Sequence, residues 1–274
     1  MGLRTARRLL PHYRVFGLVR STDAAAQLRA VGIVPLLADL DDASSLTRIG
    51  GIADVVLHFA PTSTGGLVDV RTRNLLAVLA KARLPQRLIY ISTSGVYGDC
   101  AGAWIDETRP VHPATERAIR RADAERQVRD FASRTGARVS ILRVPGIYAA
   151  DRLPLQRIQA GTPILCAADD VYSNHIHADD LARIAELAIY RGRNLRIYNT
   201  SDDGEMKMGA YFQFIAQAFG LSAPPQITLA EAQHSMSSMR LSFMNESRRL
   251  SNVRMKRELR LRLMYPTVMK GYGV

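Results

Sequence analysis

Apolar positions along the chain fall into two kinds of run, and the runs alternate. Residues 13–19 (YRVFGLV), 33–38 (IVPLLA), 54–59 (DVVLHF), 87–91 (RLIYI) and 138–143 (RVSILR) are short and nearly continuous in apolar character. Runs of this kind suit strands covered on both faces, as in a parallel sheet between helices. Between them lie stretches with helical spacing: residues 24–30, residues 68–82 with Leu75, Leu76 and Leu79 on one face, and the charged stretch 113–134. Leu3, Ala6, Leu9 and Leu10 put a helix at the very start. Strands alternating with helices predict an α/β fold with a doubly wound parallel sheet.

The second half is less regular. A short helix is expected at 153–159, a strand at 173–177, and a helix starting at Asp179 or Asp180 with Leu181, Ile184, Ala185, Ala188 and Ile189 inward. A strand at 196–199 and a helix at 211–219 closed by Gly220 follow. In the basic tail, Leu250, Val253, Leu259, Leu261 and Leu263 interleave with the charges, which predicts an amphipathic terminal helix packed on a small lobe. The expected organisation is a Rossmann domain over 1–150 and a C-terminal substrate lobe over 151–274, parts of which return to the sheet.

The sheet pattern raises one discrepancy. In a doubly wound fold the first helix follows a central strand and a glycine-rich turn. Here the helix begins at Gly2 with nothing before it, so the first strand is missing. The fold either starts with a helix by nature, or Gly2 is the last glycine of a turn encoded upstream. The second reading is preferred.

Residues 87–98, RLIYISTSGVYG, are the stretch around which the rest is organised. An apolar strand runs into Ser92, Thr93 and Ser94 and then into Gly95. Polar groups at the carboxyl end of a strand are what such a fold offers its ligands.

Composition narrows the classes. Among 274 residues the formal net charge is +12, with the basic residues spread along the whole chain, a distribution that favours a solvated basic surface over a nucleic-acid site. Cys100 and Cys166 are the only cysteines and do not form a disulfide framework, which points to a reducing cytoplasm. No apolar run approaches the roughly 18 residues of a membrane span, and the basic first ten residues lack the apolar core of a leader. His175 and His177 share a strand face but lack a third ligand, so no metal is expected.

The order of these pieces resembles the extended short-chain dehydrogenase/reductases, also called the NAD-dependent epimerase/dehydratase family. Gly2-Leu3 is similar to the end of the dinucleotide fingerprint, Arg20-Ser21 to the strand end where the cofactor is chosen, and Asp39-Leu40 to the adenine-side pair. Phe59-Ala60-Pro61 stands where the family approaches the ribose and pyrophosphate, and Pro145 where its loop passes the nicotinamide. Ser92 to Gly98 is similar to S-S-x-x-V-Y-G, and His175 to Ala182 to V-H-V-D-D-L-A. The resemblance implies a nicotinamide cofactor held by Gly2, Leu3, Arg20, Ser21, Asp39, Leu40, Phe59, Ala60, Pro61, Arg121 and Pro145. On the substrate side it implies Ser94, Tyr97, Tyr148 and His177, with Thr93 at the reacting oxygen.

The chain departs from the family at its Y-x-x-x-K. Counting back in fours from Glu125 of the Ala124-Glu125 pair, the lysine position holds Arg121 and the tyrosine position Arg117. A guanidinium does not shuttle protons near neutral pH, because its pKa lies above about 12. Thr93, Arg117 and Arg121 are thus the candidate catalytic set of an atypical member. No acid stands at 20–22, and Arg20 suits the 2′-phosphate of NADP, which is preferred to NAD. The expected activity is NAD(P)-dependent oxidoreduction or epimerisation of a sugar nucleotide or similar small alcohol or carbonyl compound, by a monomer or homodimer. The alternative is a non-catalytic NADP-binding sensor or partner protein.

Overall fold

The computed structural model describes residues 1–236, 241 and 244–273. Helix α1 (Gly2–Leu9) is followed by β1 (Phe16–Val19), α2 (Thr22–Ala30), β2 (Val34–Leu37) and β3 (Val55–His58). Then come α3 (Val70–Leu79), β4 (Arg87–Thr93), α4 (Glu116–Thr135), β5 (Arg138–Val144), α5 (Ala178–Arg191) and β6 (Arg196–Asn199). Side chains set several of these boundaries. Ser21 Oγ accepts from Ala24 N to start α2, and Thr115 Oγ1 accepts from Ala118 N to start α4. Gly136, with φ 76°, ends α4 in the left-handed conformation that glycine adopts without cost.

Strands β3, β4, β5 and β6 form one parallel sheet, with Leu57 opposite Ile89, Ile91 opposite Leu142, and Leu142 opposite Tyr198. Strand β4 is buried on both sides. Leu88 and Tyr90 pack with Leu76, Leu79, Val128 and Phe131 of α3 and α4. Ile89 and Ile91 pack on the other face with Leu9, Leu181, Ile184 and Met255. The period of two along the strand delivers alternate residues to the two helical layers.

Strands β1 and β2 form a separate parallel pair, with Phe16 opposite Val34. In the doubly wound order 3-2-1-4-5-6, a first strand would lie between β1 and β3. Among the described residues nothing pairs with the facing edges of β1 and β3, and α1 opens without a strand before it. Leu18 of β1 is 37% exposed and Leu37 of β2 60%, unlike the interior of a covered parallel sheet. The pair is attached through side chains instead. Arg71 Nε and Nη2 donate to the Asp41 carboxylate at 2.8 and 2.6 Å, and Asn74 Nδ2 donates to Leu40 O at 2.9 Å. Helix α1 is bound to α5 by Arg4 with Asp179 and by Arg8 with Glu186.

Beyond β5 a second core gathers Tyr148, Ile158, Ile164, Tyr211, Phe212, Ile215 and Val268. Residues 146–148 and 175–177 pair as short parallel strands. Several two-residue strands, such as 104–105 with 249–250, have no sequence signature. Two expectations are corrected. The cap of α5 is His177, whose Nδ1 accepts from Asp179 N at 3.2 Å, while Asp180 lies within the helix and its carboxylate accepts from Met264 N and Tyr265 N. The tail forms two short helices, Val253–Leu259 and Val268–Tyr272, rather than one. Val253 faces solvent, and Leu250, Met255, Leu259 and Leu261 make the buried side. No helix among the described residues is long and apolar enough to cross a membrane.

Candidate active site

Strands β3 and β4 run parallel, as do β1 and β2, and the candidate residues lie at or just after the carboxyl ends of these strands or on α4. Thr93 ends β4, and its Oγ1 accepts from Gly95 N at 3.3 Å, fixing the turn that follows. That turn needs Gly98: a Cβ there would stand 2.2 Å from His112 O, and its φ is +67°. The start of α4 lies against the turn, since a Cβ on Gly95 would meet Thr93 Oγ1 at 3.6 Å and Ala118 Cβ at 4.0 Å.

Arg121 reaches from α4 to the strand ends. Its Nη1 donates to Ile91 O at 2.8 Å, to Tyr90 Oη at 3.0 Å and to Ala60 O at 3.4 Å. The residue is 7% exposed, and its Nε is buried without a partner. Arg117, one turn earlier, is exposed and pairs with no acid. Arg120 Nη1 donates to Gly66 O at 2.6 Å and to Glu116 at 3.3 Å. The loop above, residues 61–68, is exposed at Gly65, Gly66, Leu67 and Val68. Beneath it His58 Nε2 lies 2.9 Å from Thr72 Oγ1, which donates to Asp69 at 2.5 Å. Burial holds the His58 pKa at about 4, so this ring is neutral.

On the adenine side, Arg20 ends β1 exposed, close enough to Asp41 for its charge to help lower that carboxyl's pKa after the hydrogen bond from Arg71. Ser21 is occupied as a helix cap. Asp39 Oδ1 accepts from Asp41 N at 3.0 Å, and Leu40 is buried. Gly2 and Leu3 are exposed at the start of α1, and a Cβ on Gly2 would meet nothing within 4 Å. Phe59 and Ala60 are half-buried, Pro61 is exposed, and Pro145 is half-buried at the end of β5.

Four residues expected on the substrate side are buried by other parts of the chain. Ser94 is 5% exposed. Tyr97 is fully buried and its hydroxyl donates to Asn199 Oδ1 at 2.7 Å. Tyr148 donates to Thr267 O at 3.0 Å, and the ring of His177 lies 3.8 Å, centroid to centroid, from that of Tyr265. Tyr148 and His177 thus sit beneath the C-terminal segment.

The sequence reading missed two buried polar groups. Glu125 accepts from Arg143 Nε at 3.0 Å, from Arg143 Nη2 at 2.8 Å and from Ser92 Oγ at 2.6 Å, beside the Tyr97 ring. Its only signal was the Ala124-Glu125 pair. Asp202 follows β6, with Oδ1 accepting from Gly204 N at 3.0 Å and its buried carboxyl beside the Tyr148 hydroxyl. Burial raises its pKa from 3.8 to about 8. The folded-state pKa lies above the unfolded one. The stability that the protonated carboxyl contributes is therefore complete below about pH 4 and lost progressively as the pH rises to about 8. Asp202→Asn, which does not titrate, should gain stability over wild type across that interval and hold a constant lead above it. Urea unfolding at a series of pH values measures this, and parallel pH profiles would refute it.

A doubly wound sheet with its polar groups at the carboxyl strand ends defines the dinucleotide-binding class of α/β proteins. Comparison with known proteins makes this specific. Residues 1–200 match the NAD dependent epimerase/dehydratase family, and the chain belongs to that family. A ketoreductase of Stigmatella aurantiaca acting on a farnesyl dihydroquinoline oxide is 25% identical over 230 residues, covering 76% of this chain and 67% of the relative. The dTDP-D-glucose 4,6-dehydratase of Bos taurus is 26% identical over 174 residues, 57% of this chain and 49% of that protein, so the match spans about half the dehydratase. Among solved structures, a conserved protein of unknown function from Silicibacter pomeroyi superposes with a TM-score of 0.80 at 28% identity, covering 100% of this chain and 94% of that one. The UDP-glucose 4-epimerase of Thermotoga maritima has the same fold, with a TM-score of 0.81 at 17% identity over 99% of this chain and 92% of its own.

Proposed function

We propose that the protein is an NAD(P)-dependent oxidoreductase or epimerase acting on a small alcohol or carbonyl substrate, of the sugar-nucleotide kind or similar, with NADP preferred. What supports this reading is Arg20 at the end of β1, Thr93 at the end of β4 and Arg121 bonded to Ile91 O of β4 and to Ala60 O after β3, in a chain of this family. The cleft fits a dinucleotide. Arg20 makes no hydrogen bond among the described residues, and the space beside Gly2 is open. The amino end of α1 also carries no acid to repel a phosphate.

Bound there, the nicotinamide would supply or accept hydride. The chain's own groups have separate tasks. Arg20 would hold the 2′-phosphate, with Ala60 and Pro61 on the side of the ribose and pyrophosphate. Thr93 Oγ1 hydrogen-bonds the substrate oxygen. Arg121 is fixed by three oxygens and presents permanent positive charge near the reacting centre, stabilising negative charge that develops on that oxygen. It cannot deliver a proton. The two arginines in the tyrosine and lysine positions support a second reading, a member that binds dinucleotide without turning it over.

One titration tests the assignment. NADPH is expected to bind tighter than NADH by fluorescence, and Arg20→Glu should reverse the order, with about a tenfold change for NADPH. Equal affinities that ignore the substitution would end the NADP reading. Dinucleotide binding with no nicotinamide oxidation or reduction on a panel of ketones and sugar nucleotides would select the second reading.

A further inference from the structure

Among the described residues, Arg117 is the one arginine of α4 that makes no hydrogen bond or ion pair. Arg120 is tied to Gly66 O and Glu116, and Arg121 to the strand ends. The acids near this end of the helix are committed elsewhere. Glu116 serves Arg120; Asp123 serves Arg126, Gln127 and the Asp69 amide; Glu125 serves Arg143 and Ser92. Protein surrounds the Arg117 guanidinium enough that desolvation, followed by repulsion from Arg121, lowers its pKa, although the residue as a whole reaches solvent. Two like charges one helical turn apart repel. The start of their helix packs on the turn after Thr93, where a Cβ on Gly95 would stand 4.0 Å from Ala118 Cβ, and Arg121 Nε is buried without a partner among the described residues. An unpaired guanidinium one helical turn from a nearly buried one, which is itself bonded to the strand that Thr93 ends, has the donors of an oxyanion site.

We propose that Arg117, with Arg121 and Thr93, binds a carboxylate or phosphoryl group of the substrate at the carboxyl end of β4. The proposal rests on the cleft reading above and narrows it: the substrate is an anion whose charged group lies beside the reacting carbon. The arginines that replace the family's tyrosine and lysine then have a binding role, with Arg121 as the fixed wall and Arg117 as the exposed arm that closes on the ligand. An anion placed there removes the repulsion between the two guanidiniums. The ligand gains the charge-assisted hydrogen bonds, and the protein loses an unfavourable pair.

Isothermal titration with inorganic phosphate and with acetate, at constant ionic strength set by chloride, tests this on the intact chain. At least one of the two should bind saturably with one site. Phosphate binding alone indicates a phosphoryl substrate, and acetate binding alone a carboxylate. Arg117→Gln should weaken binding about tenfold or more, the loss of one or two charge-assisted bonds, and Arg117→Lys should fall between. Because the Arg117 guanidinium makes no hydrogen bond or ion pair among the described residues and is repelled by Arg121, the thermal midpoint without ligand should hold or rise in Arg117→Gln. Arg126→Gln removes the same charge from the same helix away from the cleft and should leave the affinity unchanged. Saturating NADPH should leave the anion bound. No saturable binding, unaltered affinity in Arg117→Gln, or equal losses in Arg117→Gln and Arg126→Gln would overturn the proposal. Displacement of the anion by NADPH would also overturn it, by assigning the site to the cofactor's phosphates. Anion binding in a protein that takes up no dinucleotide would instead overturn the oxidoreductase reading and leave this site standing.

Discussion

An apolar strand of about five residues, followed by a glycine turn and fused to the amino end of α1, is expected to raise the stability of the protein and tighten dinucleotide binding together. Among the described residues β1 and β3 each pair on one side only, so each has one row of backbone N–H and C=O groups without a ladder partner. A strand laid between them pairs on both sides and covers Leu18, now 37% exposed. Each ladder bond contributes about 1 kcal/mol net. After the ordering cost of the added residues, a gain of about 3 kcal/mol is expected, or roughly 6–10 °C in the thermal midpoint. The glycine turn adds N–H groups at the helix start, where a pyrophosphate binds. NADPH affinity should therefore improve by a factor of about ten or more. A control fusion with lysine at the inward positions should give neither effect. If the apolar fusion moves neither the midpoint nor the affinity, β1 and β3 are not the borders of a strand site.

Glu125→Ala should be among the most damaging single substitutions in the molecule. The Glu125 and Arg143 side chains are 4% and 2% exposed, and Arg143 Nη1 has no partner even in the intact protein. Burial opposes the Arg143 charge, and the hydrogen bonds and charge of Glu125 outweigh that and raise its pKa. Without the carboxylate, a desolvated cation remains beside the Tyr97 ring, and Ser92 loses its acceptor. Breaking such a pair costs about 3–5 kcal/mol. Replacing both partners by apolar residues, Glu125→Leu with Arg143→Met, should recover most of that loss, since no unpaired charge is left. Urea midpoints for the two single variants and the double variant separate these cases. A loss below about 1 kcal/mol in Glu125→Ala would show that water or a rearranged neighbour takes over the carboxylate's role.

The sheet was legible because each strand carries its own signal. Leu88 to Ile91 could be read as doubly covered from apolar continuity alone, and the structure splits those residues between two helical layers. Elements whose cause lies far away in the chain were not legible. His177 caps α5 through a ring nitrogen, a task usually left to Ser, Thr, Asp or Asn, so the two aspartates after it drew the assignment. The two-residue strands have no period to read, and Val253 was placed inward on a helical spacing that the short helix turns outward. At the site, the candidates Thr93, Arg117 and Arg121 followed from the family pattern. That Arg121 would be anchored to Ile91 O and Tyr90 Oη did not, because nothing local says which strand end a helix residue meets. Tyr148 and His177 came from a family pattern that is silent about the segment over them, residues 265–272.

The pairing of α1 with α5 also fixes an order of events during translation. Arg4 and its partner Asp179 are 175 residues apart. At about 5–20 residues per second, the ribosome releases the first helix roughly 9–35 s before the surface that receives it. Throughout that interval the apolar side of α1, with Leu9, lacks the α5 residues it packs against. Contacts of such long range slow folding. The nascent chain therefore passes through a stage in which α1 is made but has not yet met the helix it packs against.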